Sequence, residues 1–263
     1  SLSRVALRIE YIGSEFHGWQ SQSSGVDTIQ DYLEKALSKV ANHPVKVTCA
    51  GRTDSGVHAT HQIVHFDSVA ERSEKSWIFG SNAHLPDSIA VVWSGHVDPD
   101  FNARFSATAR RYCYYIRNSR VRSAVDDQTV TRDHRPLDAK AMHQAAQALL
   151  GENDFSSFRA SHCQSRSPMR NVISVEVSRD KDLVKIDITA NAFLHHMVRN
   201  IAGVLMDVGA GVKQATWVAE LLALRDRNKG SITASPDGLF LVGVTYPATF
   251  GVPDGPSMPM FDR

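Results

Sequence analysis

Ile173-Ser174-Val175-Glu176-Val177-Ser178-Arg179-Asp180-Lys181-Asp182-Leu183-Val184-Lys185-Ile186-Asp187-Ile188 is the run from which the fold is read. Ile173, Val175 and Val177 alternate with polar residues, Arg179 to Asp182 is a charged turn, and Val184, Ile186 and Ile188 alternate again. A period of two on both sides of a short polar turn marks an antiparallel hairpin with one buried face. Upstream, Tyr112 to Ile116 reads as a strand. Asp138 opens a helix with Met142, Ala145, Ala146 and Leu149 inward, ended by Gly151. Downstream, Leu194, Met197, Val198, Ile201, Leu205 and Val208 form a helical stripe whose polar side holds His196, Arg199, Asn200 and Gly203. A shorter helix over Thr216 to Leu224 and a strand over Leu239 to Val244 complete the order β-α-β-β-α-β, with one extra helix.

The first hundred residues read the same way. Val5, Leu7, Ile9 and Tyr11 alternate as a strand; Asp27 or Thr28 caps a helix with Ile29, Leu33, Ala36, Leu37 and Val40 on one face. Val45 to Cys49 and Ile63 to Phe66 are strands flanking a glycine-punctuated loop. Ser73 caps a second helix carrying Trp77, Ile78 and Leu85, and Ile89 to Trp93 is a strand. The expectation is an α+β protein of two ferredoxin-like halves, residues 1–105 and 106–250, contributing to a largely antiparallel mixed sheet with a central cleft. Residues 251–263, with Pro253, Pro256 and Pro259, read as an extended tail.

Composition narrows the class. Of 263 residues, 42% are hydrophobic and 22% charged, which is too apolar for disorder. Cys49, Cys113 and Cys163 show no CxxC spacing, which argues against a disulfide framework or a Cys-rich zinc site. Ser1 to Glu10 lacks a basic segment followed by an apolar core, and no apolar run approaches the roughly 20 residues of a membrane span. A soluble cytoplasmic protein is expected. The net charge of +1 says nothing about nucleic acid, but its distribution does. Between Phe101 and Arg135 lie eight arginines (104, 110, 111, 117, 120, 122, 132 and 135) against Asp126, Asp127 and Asp133, a net of +5. Ser156 to Arg170 adds Arg159, Arg166 and Arg170 with no acid. Arginines grip phosphate, and interleaved aromatic rings can stack on unpaired bases. Tyr114 shares its strand face with Tyr112 and Ile116 and reads as core; Tyr112, at the strand start, fits core or ligand equally.

Gly51-Arg52-Thr53-Asp54-Ser55-Gly56-Val57-His58 places an acid between two glycines in a strand-to-strand connection. Glycine permits positive φ and close backbone approach. Asp54 could be a local Asx turn or a displayed carboxylate; an acid at this point speaks against a phosphate cradle. A guanidinium from Arg52 or Arg199 would keep such a carboxylate ionised, as a nucleophile or base requires. His58, His61 and His65 suggest a metal site with Asp54, but on a strand His61 and His65 stand about 13 Å apart, too far to share an ion. His195 and His196, as helix neighbours, diverge. No HExxH or zinc-deaminase pattern is present, so no metal is expected. A non-catalytic RNA-binding module would share the arginines without needing Asp54. A metal-dependent hydrolase would use His58, His61 and Asp54.

The octet Gly51 to His58 resembles the active-site loop of the tRNA pseudouridine synthase A family, usually G-R-T-D-A-G-V-H, with Ser55 in place of the commoner alanine. Tyr11-Ile12-Gly13 with Phe16-His17-Gly18-Trp19-Gln20, and the stretches Phe105 to Tyr112, Gly151 to Arg159 and His195 to Asn200, are similar to further blocks of that family. The resemblance implies Asp54 as the catalytic aspartate, Tyr112 stacked on the target uracil, Arg199 paired with the aspartate, and Arg52 displacing the target nucleotide. It implies Leu241 as an apolar lining of the uracil pocket. Gln20, Arg110, Arg111, Arg159 and Arg166 are expected to hold substrate. It further implies a cofactor-free homodimer that isomerises uridines 38, 39 and 40 in the anticodon stem-loop of tRNA.

Overall fold

The computed structural model describes residues 1–125 and 128–263, so Asp126 and Asp127 of the basic stretch lie outside the described residues. The chain forms two units, 1–110 with 240–263, and 111–239. The residues from Phe240 on thus belong with the N-terminal half, whereas the sequence suggested the last strand in the second half and 251–263 as a separate extended tail.

In the first unit, β1 (Ser3–Tyr11) lies between β3 (His58–Ser68) and β4 (Ile89–Val97), antiparallel to both. Val5, Leu7 and Ile9 face Phe66, Val64 and Gln62 across the ladder. The short β2 (Thr48–Cys49) pairs antiparallel with β3, and β10 (Leu239–Thr245) pairs parallel with it through Phe240 and Leu241. Helix α1 (Ile29–Ala41) starts at Thr28, whose hydroxyl accepts the Asp31 N–H, and buries Ile29, Leu33, Ala36 and Leu37. The second helix forms over residues 74–82, opened by Ser73, whose hydroxyl accepts the Ser76 N–H, and its π-helical middle at Ser76–Gly80 seats Trp77 against Phe66, with ring centroids 4.9 Å apart.

β3 spans eleven residues, far more than Ile63 to Phe66 suggested. Its polar residues obscured it. His58, His61, Gln62 and His65 are all buried, and each is hydrogen-bonded: a central strand can carry buried polar groups when every one finds a partner. The tail supplies two of those partners. His61 Nε2 donates to the Pro253 carbonyl (2.9 Å) and Nδ1 accepts from the Ser257 hydroxyl (3.0 Å), which in turn accepts from Arg8 (2.8 Å). Ser257 N–H closes onto the Val242 carbonyl. The expected free appendage is therefore a packed edge of this unit.

In the second unit the order is β5 (Ala109–Asn118), β9 (Leu183–Ala190), β8 (Met169–Asp180), β7 (Gly151–Asp154), with β6 (Thr131–Asp133) parallel to β5. The hairpin forms as read, with Val175 opposite Ile188 and Val177 opposite Ile186, and it turns at Lys181-Asp182. A bulge between Val172 and Ser174 reverses the facing upstream of it, so Val172 is buried and Ile173 exposed. Helix α2 (Ala139–Ala146) is capped by Asp138 and buries Met142, Ala145 and Ala146. Helix α3 (Met197–Gly209) begins after His195-His196 and is buried on nearly every side. Its expected polar stripe is covered: a Cβ on Gly203 would meet the Ile232 carbonyl at 2.2 Å, and Asn200 bonds Phe158, Arg227 and Thr233. Helix α4 (Trp217–Leu224) follows. No helix among the described residues is long and apolar enough to cross a membrane.

Candidate active site

In the first unit the octet joining β2 to β3 is held from beneath by a buried polar chain. Tyr11 and Thr53 share a hydroxyl–hydroxyl bond of 2.7 Å. Gln62, opposite Ile9 on the ladder, donates to the Tyr11 hydroxyl (3.3 Å) and to the Gly51 carbonyl (2.6 Å). Trp19 N–H donates to the Thr53 carbonyl (3.0 Å), Ser55 to the Phe16 carbonyl (3.3 Å), and Val57 N–H closes a turn onto Asp54 (3.0 Å). Asp54 is half-buried while the residue before it, Thr53, is buried.

Two glycines of the N-terminal motif make this approach possible. A Cβ on Gly13 would stand 2.0 Å from the Val57 carbonyl oxygen; one on Gly18 would stand 2.9 Å from that of Thr53. Gly18 also has φ +82°, where a side chain is strained. The spacing of Gly13, Gly18 and the octet in sequence thus reflects backbone packed on backbone. His58, at the end of the octet, accepts the Gly13 N–H on Nδ1 (2.9 Å), and His65 accepts the Ala103 N–H (2.9 Å). With His61 bonded at both nitrogens, the three histidines considered as ligands serve the scaffold. Burial lowers the pKa of both His61 and His65 to about 4, so both are neutral at pH 7.

The other expected residues of this unit fall into three situations. Arg52 and Gln20 are exposed, Arg52 two residues before Asp54 in the chain and Gln20 directly after Trp19. Arg110 reaches the carbonyls of Ala50 (2.9 Å) and Arg104 (2.8 Å), fixing the backbone that leads into the octet. Leu241 is wholly buried in β10 beside Ala59. Strand alternation in so apolar a run gave no way to tell a lining residue from a core one. Phe105, by contrast, is 76% exposed and lies under the Arg104 guanidinium (5.2 Å), an exposed cation–aromatic pair that sequence reasoning passed over. The signal was present as an aromatic within the arginine-rich stretch.

In the second unit Tyr112 is buried at 8% exposure, edge-on to Phe193 with ring centroids 5.0 Å apart. Tyr114 is core, its hydroxyl bonded to Thr131 and the Ser235 carbonyl, and burial raises its pKa. Arg199 is half-buried on α3, donating to the Ala234 carbonyl (2.8 Å). A solvated helix face would not hold it so. Arg111 grips Asp187 through two bonds (2.9 and 2.7 Å), a pairing that raises its pKa. Arg159 is turned onto the carbonyls of Cys163 and Ser165, and Arg166 is exposed.

Residues 8–106 and 145–247 match the family model described as tRNA pseudouridine synthase. A Klebsiella pneumoniae protein named tRNA pseudouridine synthase A is 57% identical over 98% of this chain and 95% of its own; an Escherichia coli protein of the same name is 55% identical over the same shares. This chain belongs to the tRNA pseudouridine synthase family. It is accordingly an enzyme, an isomerase of uridine in tRNA, with the α+β pseudouridine synthase fold. The matched residues of the synthase include Asp54 and Arg199; Tyr112 lies in the stretch between the two matched segments. A chain in a structure of an H/ACA RNP bound to a substrate RNA aligns over 77% of the synthase and 53% of its own length. With 12% identity and a TM-score of 0.33, that likeness is too slight to carry an argument.

Proposed function

We propose that this synthase acts on uridines 38, 39 and 40 of the tRNA anticodon stem-loop, with Asp54 as nucleophile and the target base everted. The observation that carries this reading is the octet itself. Its backbone is fixed by Gln62, Tyr11, Trp19 and two close-packed glycines, while Asp54 as a residue stays half-buried. Attack in a fixed geometry requires that kind of support.

The reaction breaks N1–C1′, turns the uracil, and forms C5–C1′. The proton on C5 leaves and N1 gains one, so neither redox change nor net transfer occurs. An ionised Asp54 supplies the electron pair, whether it bonds sugar C1′, as in retaining glycosidases, or C6 of the ring. Arg199 is assigned as the basic partner of that carboxylate. Tyr112 is assigned the uracil face, its hydroxyl assisting removal of the C5 proton. Arg52 is assigned to displacing the nucleotide, since eversion costs a few kcal/mol. Among the arginines, the exposed Arg104 and Arg166 suit phosphate contact better than Arg110, Arg111 and Arg159, which hold protein groups. Phe105 supplies a face for an unpaired loop base. The enzyme works as a cofactor-free homodimer.

The test is Asp54→Asn with tRNA labelled with tritium at uridine C5. Tritium release should be abolished while tRNA affinity stays within a few-fold of wild type. Retained release overturns the nucleophile role. Release from positions other than 38, 39 and 40, mapped on the product, overturns the positional reading.

A further inference from the structure

The synthase chemistry leaves one cluster unused. His162, His195 and His196 each present a ring nitrogen, and these atoms all lie within 4.8 Å of one another. The chain brings them together from 33 residues apart by two devices. His196, just ahead of α3, takes left-handed backbone (φ +63°), a conformation in which histidine is over-represented. That turn stacks its ring on that of His195, with centroids 4.1 Å apart and planes at 27°. The sequence suggests a helix for both, on which neighbours would diverge; the left-handed residue brings them together instead. The loop carrying His162 is then pinned to the same point: Ala160 N–H donates to the His195 carbonyl and Cys163 N–H to that of Ala160, both at 3.0 Å. His162 meets the other two rings edge-on, at 4.6 and 5.5 Å between centroids.

We propose that these three imidazoles bind a divalent transition-metal ion such as Zn²⁺, which clasps the 160–168 loop to the start of α3. Three nitrogen donors without a carboxylate select a borderline ion over Mg²⁺ or Ca²⁺, which take oxygen ligands. Zn–N bonds of about 2.0–2.1 Å in tetrahedral geometry put ligand nitrogens roughly 3.3 Å apart. The rings therefore need to close by at most about 1.5 Å from their 4.8 Å limit, and His162 and His195 are both exposed. Water takes the fourth position. The ion is structural and does not enter the isomerisation.

The experiment is calorimetric titration of the full chain with Zn²⁺ and, separately, Mg²⁺. Twelve histidines make background binding a concern, so variants provide the discrimination. Wild type should take up one equivalent of Zn²⁺ and no Mg²⁺. Taking the binding free energy of a structural zinc as shared among its ligands, His162→Gln and His195→Gln should each weaken Zn²⁺ on the order of 100-fold. His84→Gln, exposed in the other unit, should leave affinity unchanged. Zn²⁺ should also slow proteolytic cleavage within 160–168 in wild type and not in His162→Gln. Absence of stoichiometric uptake, or wild-type affinity in His162→Gln, overturns the proposal.

Discussion

Gly18→Ala, set against Gly25→Ala, asks whether backbone contact beneath the Asp54 octet tunes catalysis. The two glycines have nearly the same backbone, φ +82° and +78°, so the strain of an alanine in left-handed conformation, about 1–2 kcal/mol, is common to both. Their surroundings differ. A Cβ at position 25 meets nothing within 4 Å; at position 18 it meets the Thr53 carbonyl oxygen at 2.9 Å, the Ser55 nitrogen at 3.1 Å and the Asp54 carbonyl carbon at 3.3 Å. Restoring ordinary contact of about 3.4 Å requires the octet to retreat by about 0.5 Å. The Trp19-to-Thr53 hydrogen bond lies in the way of that retreat. Overpacking of this kind adds roughly 1–3 kcal/mol to the shared strain. Since 1 Å of misplacement can cost about 100-fold in rate, 0.5 Å is worth about 10-fold. Single-turnover tritium release should therefore fall about 10-fold in Gly18→Ala and remain near wild type in Gly25→Ala. Thermal melting should place Gly18→Ala lower by a further few degrees, at about 2–4 °C per kcal/mol. Equal rates in the two variants, with Gly18→Ala the less stable, would refute the link between octet position and chemistry.

Tyr112→Phe keeps the ring against Phe193 and removes only the hydroxyl, so tRNA affinity should survive better than product formation; equal losses argue against a role for the hydroxyl. Phe105→Ala should weaken tRNA binding about 10-fold, the low end of one base–aromatic stack, with melting unchanged because the ring is exposed. A filter-binding titration checks it, and unchanged affinity rejects the stacking role. His61 and His65 take up a proton near pH 4 in the fold and near 6.5 in the unfolded chain, so between these values the unfolded chain binds more protons. Stability is full above pH 6.5 and falls as pH drops towards 4, by about 3 kcal/mol for each histidine. Urea midpoints measured across that window should show the slope, and His65→Gln should flatten it; the same slope in the variant would show that other groups carry it.

Much of this protein was legible in its residues. The hairpin of β8 and β9, the stripes of α1, α2 and α3, and the Gly51–His58 octet follow from local periodicity and turn chemistry, which act over a few residues and leave their mark in spacing. Three features did not. β3 was read four residues long because its histidines and Gln62 break the apolar pattern, and only the tail at Pro253 and Ser257, nearly 200 residues away, shows how one of those histidines is satisfied. Tertiary packing enclosed Leu241, while Phe105, an equally apolar residue, was left in solvent. The arginines were alike in sequence, yet Arg111 met Asp187, Arg110 met backbone carbonyls, and Arg52 and Arg166 stayed exposed. The chemical type of a side chain and its strand or helix period are local properties of the chain. Its partner, and hence whether it holds the fold or faces a ligand, depends on segments brought together only when the chain closes on itself.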